Sequence, residues 1–291
     1  MVICILASVQ EIVAQDPSSR TVRLNVTAIR EGGSITDLAP DVLVLKENGK
    51  VQRIQSFERP TASVSWCLLM DTSGSMVGQI SQAQALAIAV VNAIPATDEV
   101  CVFHFSDEPY LDAKLTQSRP EVQRGLMMRT DARGTSKLRD AGMEAVRYLA
   151  REAKNEKKLI VIISDGLDNK SKVKRDFLTA ALLESNILVY ALAQSGNVDV
   201  SEVGAAAKEL NMLTEDTGGF AFHGETFANL QRYAERIVRE VQSQYLLTYS
   251  PANQNLDQKF RSITLTIEGP KKKEIQVRTK SGYYATPTGF K

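Results

Sequence analysis

The stretch VSWCLLMDTSGSM, residues Val64–Met76, decides the fold of this chain. Its first part, Val64–Met70, is an apolar run of strand length, which is typical of a strand buried on both faces of a parallel sheet. In such sheets ligands bind at the carboxyl ends of the strands, near the point where the strand order reverses. Asp71, Ser73 and Ser75 follow the run directly. The stretch therefore predicts a central strand with a polar site at its end.

Towards the C-terminus, apolar runs and helical patterns alternate. Further strands are predicted at 99–105, 109–115, 158–164 and 187–193, and helices near 79–94, 120–128, 138–153, 172–185, 200–210 and 225–243. This alternation is typical of an α/β fold with a doubly wound, mostly parallel sheet, similar to the Rossmann fold. We assign it to residues 61–243.

The segments on either side of this unit have the pattern of antiparallel β-structure. Residues 20–60 contain an alternating run and two predicted strands, 41–45 and 51–57, on either side of Asn48-Gly49, a dipeptide typical of a tight hairpin. Residues 244–291 contain three more predicted strands, 245–249, 261–267 and 273–279. Because the N-terminal segment has too little apolar surface to fold well alone, we expect residues 244–291 to pair with residues 20–60 in one small β domain.

Composition and charge restrict the function classes. The chain has 291 residues with 35 Lys+Arg and 34 Asp+Glu, a net charge of +1. This balance argues against nucleic acid as a partner, and no apolar run reaches membrane-spanning length. Residues 1–15 resemble the remnant of a secretory signal peptide without its basic start, with a short buried helix as the alternative. We therefore expect a secreted, periplasmic or envelope protein, or a cytoplasmic one if residues 1–15 are not a signal.

Cysteine and histidine usage argues against a zinc or thioredoxin-type centre. The chain has 3 Cys and 2 His and no C-x-x-C pair. Cys67 and Cys101 lie in predicted strands, and we expect them to be buried free thiols. A disulfide between them is the alternative in an oxidising compartment.

Three predicted loops at the carboxyl edge of the sheet carry oxygen-bearing side chains. Asp71, Ser73 and Ser75 form a D-x-S-x-S string, Thr135 precedes the helix near 138, and Asp165 follows the strand 158–164. Oxygen ligands without nitrogen or sulfur suit Mg²⁺ or Mn²⁺ better than zinc or copper. Asp and Ser also cap helices and turns, but the three loops together predict a metal site.

The strings DTSGSM, GT and SDG resemble the metal-ion-dependent adhesion site (MIDAS) of von Willebrand factor type A (VWA) domains. The resemblance implies that Ser73, Ser75 and Thr135 bind a Mg²⁺ or Mn²⁺ directly. It implies that Asp71 and Asp165 act largely through bound waters. It also implies that an Asp or Glu of a partner protein completes the coordination.

The flanks, residues 26–57 and 244–284, resemble those of the bacterial VWFA-related proteins best known from Acidobacteria. The chain departs from many such relatives after Thr135, where Lys137 and Arg139 place two cations near the predicted site. The two cations are expected to affect how tightly the site binds the metal ion and which acidic side chains of a partner it accepts.

Three functions are compatible with these features. The first is a non-enzymatic, metal-dependent protein-binding module of the adhesion type; the others are a magnesium-dependent phosphatase or hydrolase and a structural or chaperone-like subunit. A dehalogenase-type phosphatase needs a second acid where this chain has Ser73. The esterase, P-loop and dinucleotide motifs do not occur. We therefore expect a binding module rather than an enzyme.

Overall fold

The structure is a computed structural model that describes residues 20–31, 33–194, 200–224, 226–269 and 274–287. The predicted signal remnant, residues 1–15, lies outside the described residues. The strands are β1 (Val22–Arg30), β2 (Gly33–Ser34), β3 (Leu43–Glu47), β4 (Lys50–Gln52), β5 (Ile54–Glu58), β6 (Val64–Asp71), β7 (Glu99–Phe105), β8 (Pro109–Thr116), β9 (Lys157–Ser164), β10 (Ile187–Ala193), β11 (Ala221–His223), β12 (Tyr245–Tyr249), β13 (Phe260–Ile267), β14 (Gln276–Arg278) and β15 (Gly282–Tyr284). The helices are α1 (Ile80–Ala93), α2 (Arg119–Leu126), α3 (Leu138–Glu152), α4 (Arg175–Glu184), α5 (Val200–Thr217) and α6 (Phe227–Gln242). Within this part of the chain, no helix is both long enough and apolar enough to cross a bilayer.

The central sheet has six strands in the order β11-β10-β9-β6-β7-β8. β6 pairs in parallel with β7 on one side and with β9 on the other, and β8 is an antiparallel edge strand. Helices α1, α2 and α6 pack on one face, and α3, α4 and α5 on the other. The prediction of a doubly wound, mostly parallel sheet is confirmed. Because the chain moves from β6 to opposite sides of the sheet, the strand order reverses at β6.

The N- and C-terminal segments pair with each other, as predicted, and they do so in two small sheets. β1 pairs with β12 and β14, and β3 pairs with β13, all antiparallel. Apolar side chains from both sheets share one core. The Asn48-Gly49 hairpin between β3 and β4 is confirmed, with φ of 46° and 76°, the positive values that its turn type requires.

The sequence prediction is wrong in three details. The strand predicted at 51–57 is two strands, because the chain leaves the β3 sheet after Gln52 and β5 pairs with β12 instead. Alternation does not distinguish a strand that continues from one that changes sheets. Helix α5 extends to Thr217 instead of ending near 210, and the three-residue strands β11 and β15 were not predicted because they are too short to show a period.

Cys67 and Cys101 occupy paired positions on β6 and β7. Both are buried free thiols, as predicted. Burial raises the pKa of the Cys101 thiol, which favours its protonated form.

Candidate metal centre

Strand β6 ends at Asp71, whose carboxylate is completely buried where the strand order reverses. Asp71 Oδ1 accepts a hydrogen bond from the backbone N–H of Ser73 at 2.8 Å. Asp71 Oδ2 accepts one from Ser164 Oγ, at the end of β9, at 2.6 Å. The turn brings the hydroxyl oxygens of Ser73 and Ser75 to 3.1 Å from each other. The D-x-S-x-S string therefore holds two hydroxyls side by side above a fixed carboxylate.

Backbone hydrogen bonds connect this turn to the loop before α3. The Gly74 N–H donates to the Gly134 carbonyl at 3.0 Å, and the Arg133 N–H donates to the Thr72 carbonyl at 3.0 Å. The loop before α3 also contacts the loop after β9, because Ser136 Oγ donates a hydrogen bond to the Leu167 carbonyl at 2.7 Å. Loops that are far apart in sequence thus meet at one edge of the sheet.

The loop after β9 contributes the carboxylate of Asp165, one oxygen of which accepts no hydrogen bond from the described residues. Asp165 Oδ1 accepts a hydrogen bond from the Leu167 N–H at 3.0 Å, whereas Oδ2 is buried and has no hydrogen-bond partner among the described residues. Gly166 has a φ of +85°, and a Cβ there would lie 2.6 Å from the Ala206 carbonyl oxygen. Only glycine allows the turn that brings Asp165 to this edge.

The two carboxylates of the site have no cationic partner in the described chain. Burial and then the charge of Asp165 raise the pKa of Asp71 to about 7. Neither acid forms an ion pair with a described Lys, Arg or His. A buried carboxylate without a cation is costly, and a bound divalent cation would remove that cost.

The donor set is composed of carboxylates and hydroxyls. No three Asp, Glu, His or Cys side chains of the described residues are grouped as metal ligands. A cation at this edge would therefore be held by Asp71 and Asp165 together with the hydroxyls. The free Oδ2 of Asp165 and the adjacent oxygens of Ser73 and Ser75 fit a hard cation such as Mg²⁺.

Thr135 points its hydroxyl to a residue that the sequence interpretation missed. Thr135 Oγ1 and the Thr135 N–H both donate to Asp107 Oδ1, at 2.7 and 2.9 Å. Hydrogen bonds connect Asp71, Ser73 and Ser75, and the charge of Asp165 acts on Asp71. The hydroxyl of Thr135 is instead bonded to Asp107. The sequence signal that could have identified Asp107 is its position. It comes two residues after the end of β7, the strand beside β6, and therefore at the same edge of the sheet.

The two cations that follow Thr135 are both paired with acids. Lys137 Nζ lies 2.8 Å from Glu108 Oε1, and Arg139 Nε lies 3.0 Å from Asp168 Oδ2. Asp168 also accepts the backbone N–H of Arg139 at 2.8 Å, so it caps the start of α3. The expected positive charge near the site is therefore largely neutralised by the chain itself.

Comparisons with known proteins agree with this architecture. Residues 67–167 match the family described as von Willebrand factor type A domain. A von Willebrand factor type A structure from Catenulispora acidiphila aligns with a TM-score of 0.55 at 10% identity, over 92% of this chain and 75% of that one. Proximal thread matrix protein 1 from the mussel byssus aligns with a TM-score of 0.52 at 13% identity, over 64% of this chain and 49% of that one. No curated protein matches the sequence.

At these identities the solved structures support the fold alone. The similarity in sequence rests on the family match, which runs from β6 to the loop after β9 and includes DTSGSM, GT and SDG. Residues 67–167 therefore match the von Willebrand factor type A domain family, and the solved structures agree with that match in fold.

Proposed function

We propose that the VWA domain is a non-enzymatic protein-binding module. In it, a Mg²⁺ or Mn²⁺ held by Asp71, Ser73, Ser75, Thr135 and Asp165 accepts an Asp or Glu side chain of a partner protein. One observation carries the proposal: two buried acids without a cationic partner in the described chain lie beside two hydroxyl oxygens 3.1 Å apart.

The residues have distinct roles in this proposal. Asp71 is fixed by the Ser73 N–H and the Ser164 hydroxyl, so it supplies negative charge at a constant position. Ser73 and Ser75 supply neutral oxygens, which leave most of a cation's charge unquenched. The bound ion would supply a Lewis-acidic position for an external carboxylate.

Binding is preferred to catalysis because of the residue two positions after Asp71. Ser73 cannot serve as the general acid that a dehalogenase-type phosphatase needs there, and its hydroxyl is already engaged with that of Ser75. We also propose that the protein acts outside the cytoplasm, which rests on the resemblance of residues 1–15 to a signal remnant.

Calorimetric titration with Mg²⁺ tests the metal site. We expect binding to the wild type, and loss of the heat in Asp71→Ala and Ser73→Ala. Ser106→Ala is the matched control, because Ser106 is a buried serine that directly follows β7 at the same edge of the sheet. Equal heats in all four proteins would refute the site.

The carboxylate step needs a second measurement. In the Mn²⁺-loaded protein, a carboxylate that replaces a metal-bound water lowers the relaxation rate of solvent protons. We expect N-acetyl-glutamate amide to lower this rate and N-acetyl-glutamine amide to leave it unchanged. If both probes act alike, the proposed recognition of acidic side chains is wrong.

A further inference from the structure

We propose that Asp107 is a positioning residue of the metal site, which holds the Thr135 hydroxyl with its proton turned away and its lone pairs available to a cation. This inference rests on the proposed function, because it gives Asp107 a role in binding the same ion. Asp107 itself is not one of the proposed ligands.

The hydrogen bonds define the orientation of Thr135. Asp107 Oδ1 accepts both the backbone N–H of Thr135 at 2.9 Å and its Oγ1–H at 2.7 Å. A hydroxyl has one proton and two lone pairs. Because the proton is engaged by Asp107, both lone pairs of Oγ1 remain free for other contacts. A hydroxyl that binds a cation needs such an acceptor for its proton, and a carboxylate is the strongest one available.

The backbone around Asp107 is built to allow this contact. Gly134 has a φ of +78°, and a Cβ at this position would lie 2.3 Å from Asp107 Oδ2. The carboxylate therefore lies directly over Gly134, and a side chain there would displace it. On the opposite side, the Gly134 carbonyl accepts the Gly74 N–H at 3.0 Å. Asp107 is thus connected through Gly134 and Thr135 to the D-x-S-x-S turn.

The chemistry of Asp107 suits the role. Asp107 is an exposed side chain at this edge of the sheet. The oxygens of a carboxylate accept hydrogen bonds and have no proton to donate, so this side chain can take up the hydroxyl proton of Thr135.

The next residue provides a matched control. Glu108 is also an exposed acid at this edge, but it pairs with Lys137 Nζ at 2.8 Å. Glu108→Ala removes the same charge from nearly the same place and leaves the Thr135 contact intact. A difference between Asp107→Ala and Glu108→Ala therefore reports the hydrogen bonds to Thr135 and not the loss of one negative charge.

The test is a double-mutant cycle measured by calorimetric titration with Mg²⁺. We expect Asp107→Ala to weaken Mg²⁺ binding by roughly tenfold or more, the usual effect of removing a group that orients a metal ligand. Glu108→Ala should weaken it much less. In a Thr135→Val background, Asp107→Ala should have little further effect. Asp107→Asn keeps an acceptor oxygen and should recover most of the affinity.

The outcomes separate this inference from the proposed function. If the wild type binds Mg²⁺ but Asp107→Ala behaves like Glu108→Ala, or adds its full effect to that of Thr135→Val, the inference is overturned and the metal site stands. If the wild type binds no Mg²⁺, the proposed function fails, and with it the role of Asp107 towards an ion. The amide NMR signal of Thr135 is a readout without metal: it should shift in Asp107→Ala and stay in Glu108→Ala, and an unmoved signal would also overturn the inference.

Discussion

Two buried acids, Asp71 at the end of β6 and Glu240 on α6, differ in what surrounds them. Glu240 is 1% exposed and accepts hydrogen bonds from Tyr190 Oη at 3.0 Å, from Arg236 Nε at 2.8 Å and from Arg278 Nη2. Asp71 is 0% exposed and accepts only neutral donors, and the nearby charge of Asp165 raises its pKa. The two carboxylates are equally buried, but Glu240 is surrounded by cations and Asp71 has another acid nearby.

The comparison teaches how a buried carboxylate can be interpreted. Glu240 has its cations in the chain, and one of them, Arg278, comes from β14 of the C-terminal segment. Its role is to connect α6 with the strands that pair with β1. Asp71 has no such cation among the described residues, and burial together with the nearby Asp165 raises its pKa to about 7.

The largest expected effect is on stability when the paired acid is changed. Glu240→Gln leaves the guanidinium groups of Arg236 and Arg278 without their carboxylate, and removing one partner of a buried pair costs about 3–5 kcal/mol. Urea unfolding measures this loss. The control is Glu235→Gln on the same helix, whose partner Arg239 lies 3.4 Å away in an exposed pair; it should cost less than about 0.5 kcal/mol. Equal losses in the two variants would show that the Glu240 network adds nothing.

Magnesium should stabilise the protein through the unpaired acids and not through Glu240. At a concentration of 100 times the dissociation constant, a ligand that binds only the folded state adds about 2.7 kcal/mol. We expect this gain in the wild type and in Glu240→Gln, and no gain in Asp71→Asn. Thermal unfolding with Mg²⁺ and with a chelator measures it. If Mg²⁺ stabilises Asp71→Asn as much as the wild type, the ion binds at a site that does not include Asp71.

Lys280 extends the comparison to a buried cation. Its Nζ donates to the neutral Asn186 Oδ1 at 3.1 Å, and burial lowers its pKa to about 8 from 10.5. Between these two values the unfolded chain binds more protons than the folded one, so the stability contributed by this group rises with pH. From pH 8 to pH 10 we expect the wild type to gain about 1–2 kcal/mol relative to Lys280→Met in urea unfolding. Parallel pH profiles would show that the Lys280 amine is already neutral, or equally charged, in both states.

The sequence predicts the features that depend on local patterns. The strand and helix order of residues 61–243 follows from hydrophobic period, and the hairpin at Asn48-Gly49 follows from turn chemistry. The meeting of the three loops at one edge follows from the rule for parallel sheets together with the resemblance to VWA domains. The role of the five residues as metal ligands stays a prediction.

The features that the sequence did not predict depend on contacts between distant residues. Asp107 and Thr135 are 28 positions apart, and Arg278 and Glu240 are 38 apart. Neither pair has a local signature, because which acid meets which donor is decided by side-chain direction after the strands have assembled. The change of sheet after Gln52 is hidden for a similar reason, since β4 and β5 are both extended and only the partner strand changes, from β3 to β12.

The smallest expected effect is the change in unfolding free energy of Asp71→Asn without metal. It tests the contrast between Asp71 and Glu240 most directly. Asp71→Asn and Glu240→Gln make the same chemical change at equally buried positions. In the Asp71→Asn variant the side-chain amide still offers an oxygen to the Ser73 N–H, its NH2 group can donate to Ser164 Oγ in place of the bond that Asp71 accepts, and the repulsion with Asp165 is gone. Stability without metal should therefore stay within about 1 kcal/mol of the wild type or rise, as measured by urea unfolding in chelator. A loss as large as that of Glu240→Gln would mean that the chain alone stabilises the Asp71 carboxylate, and that the site has no need of a cation.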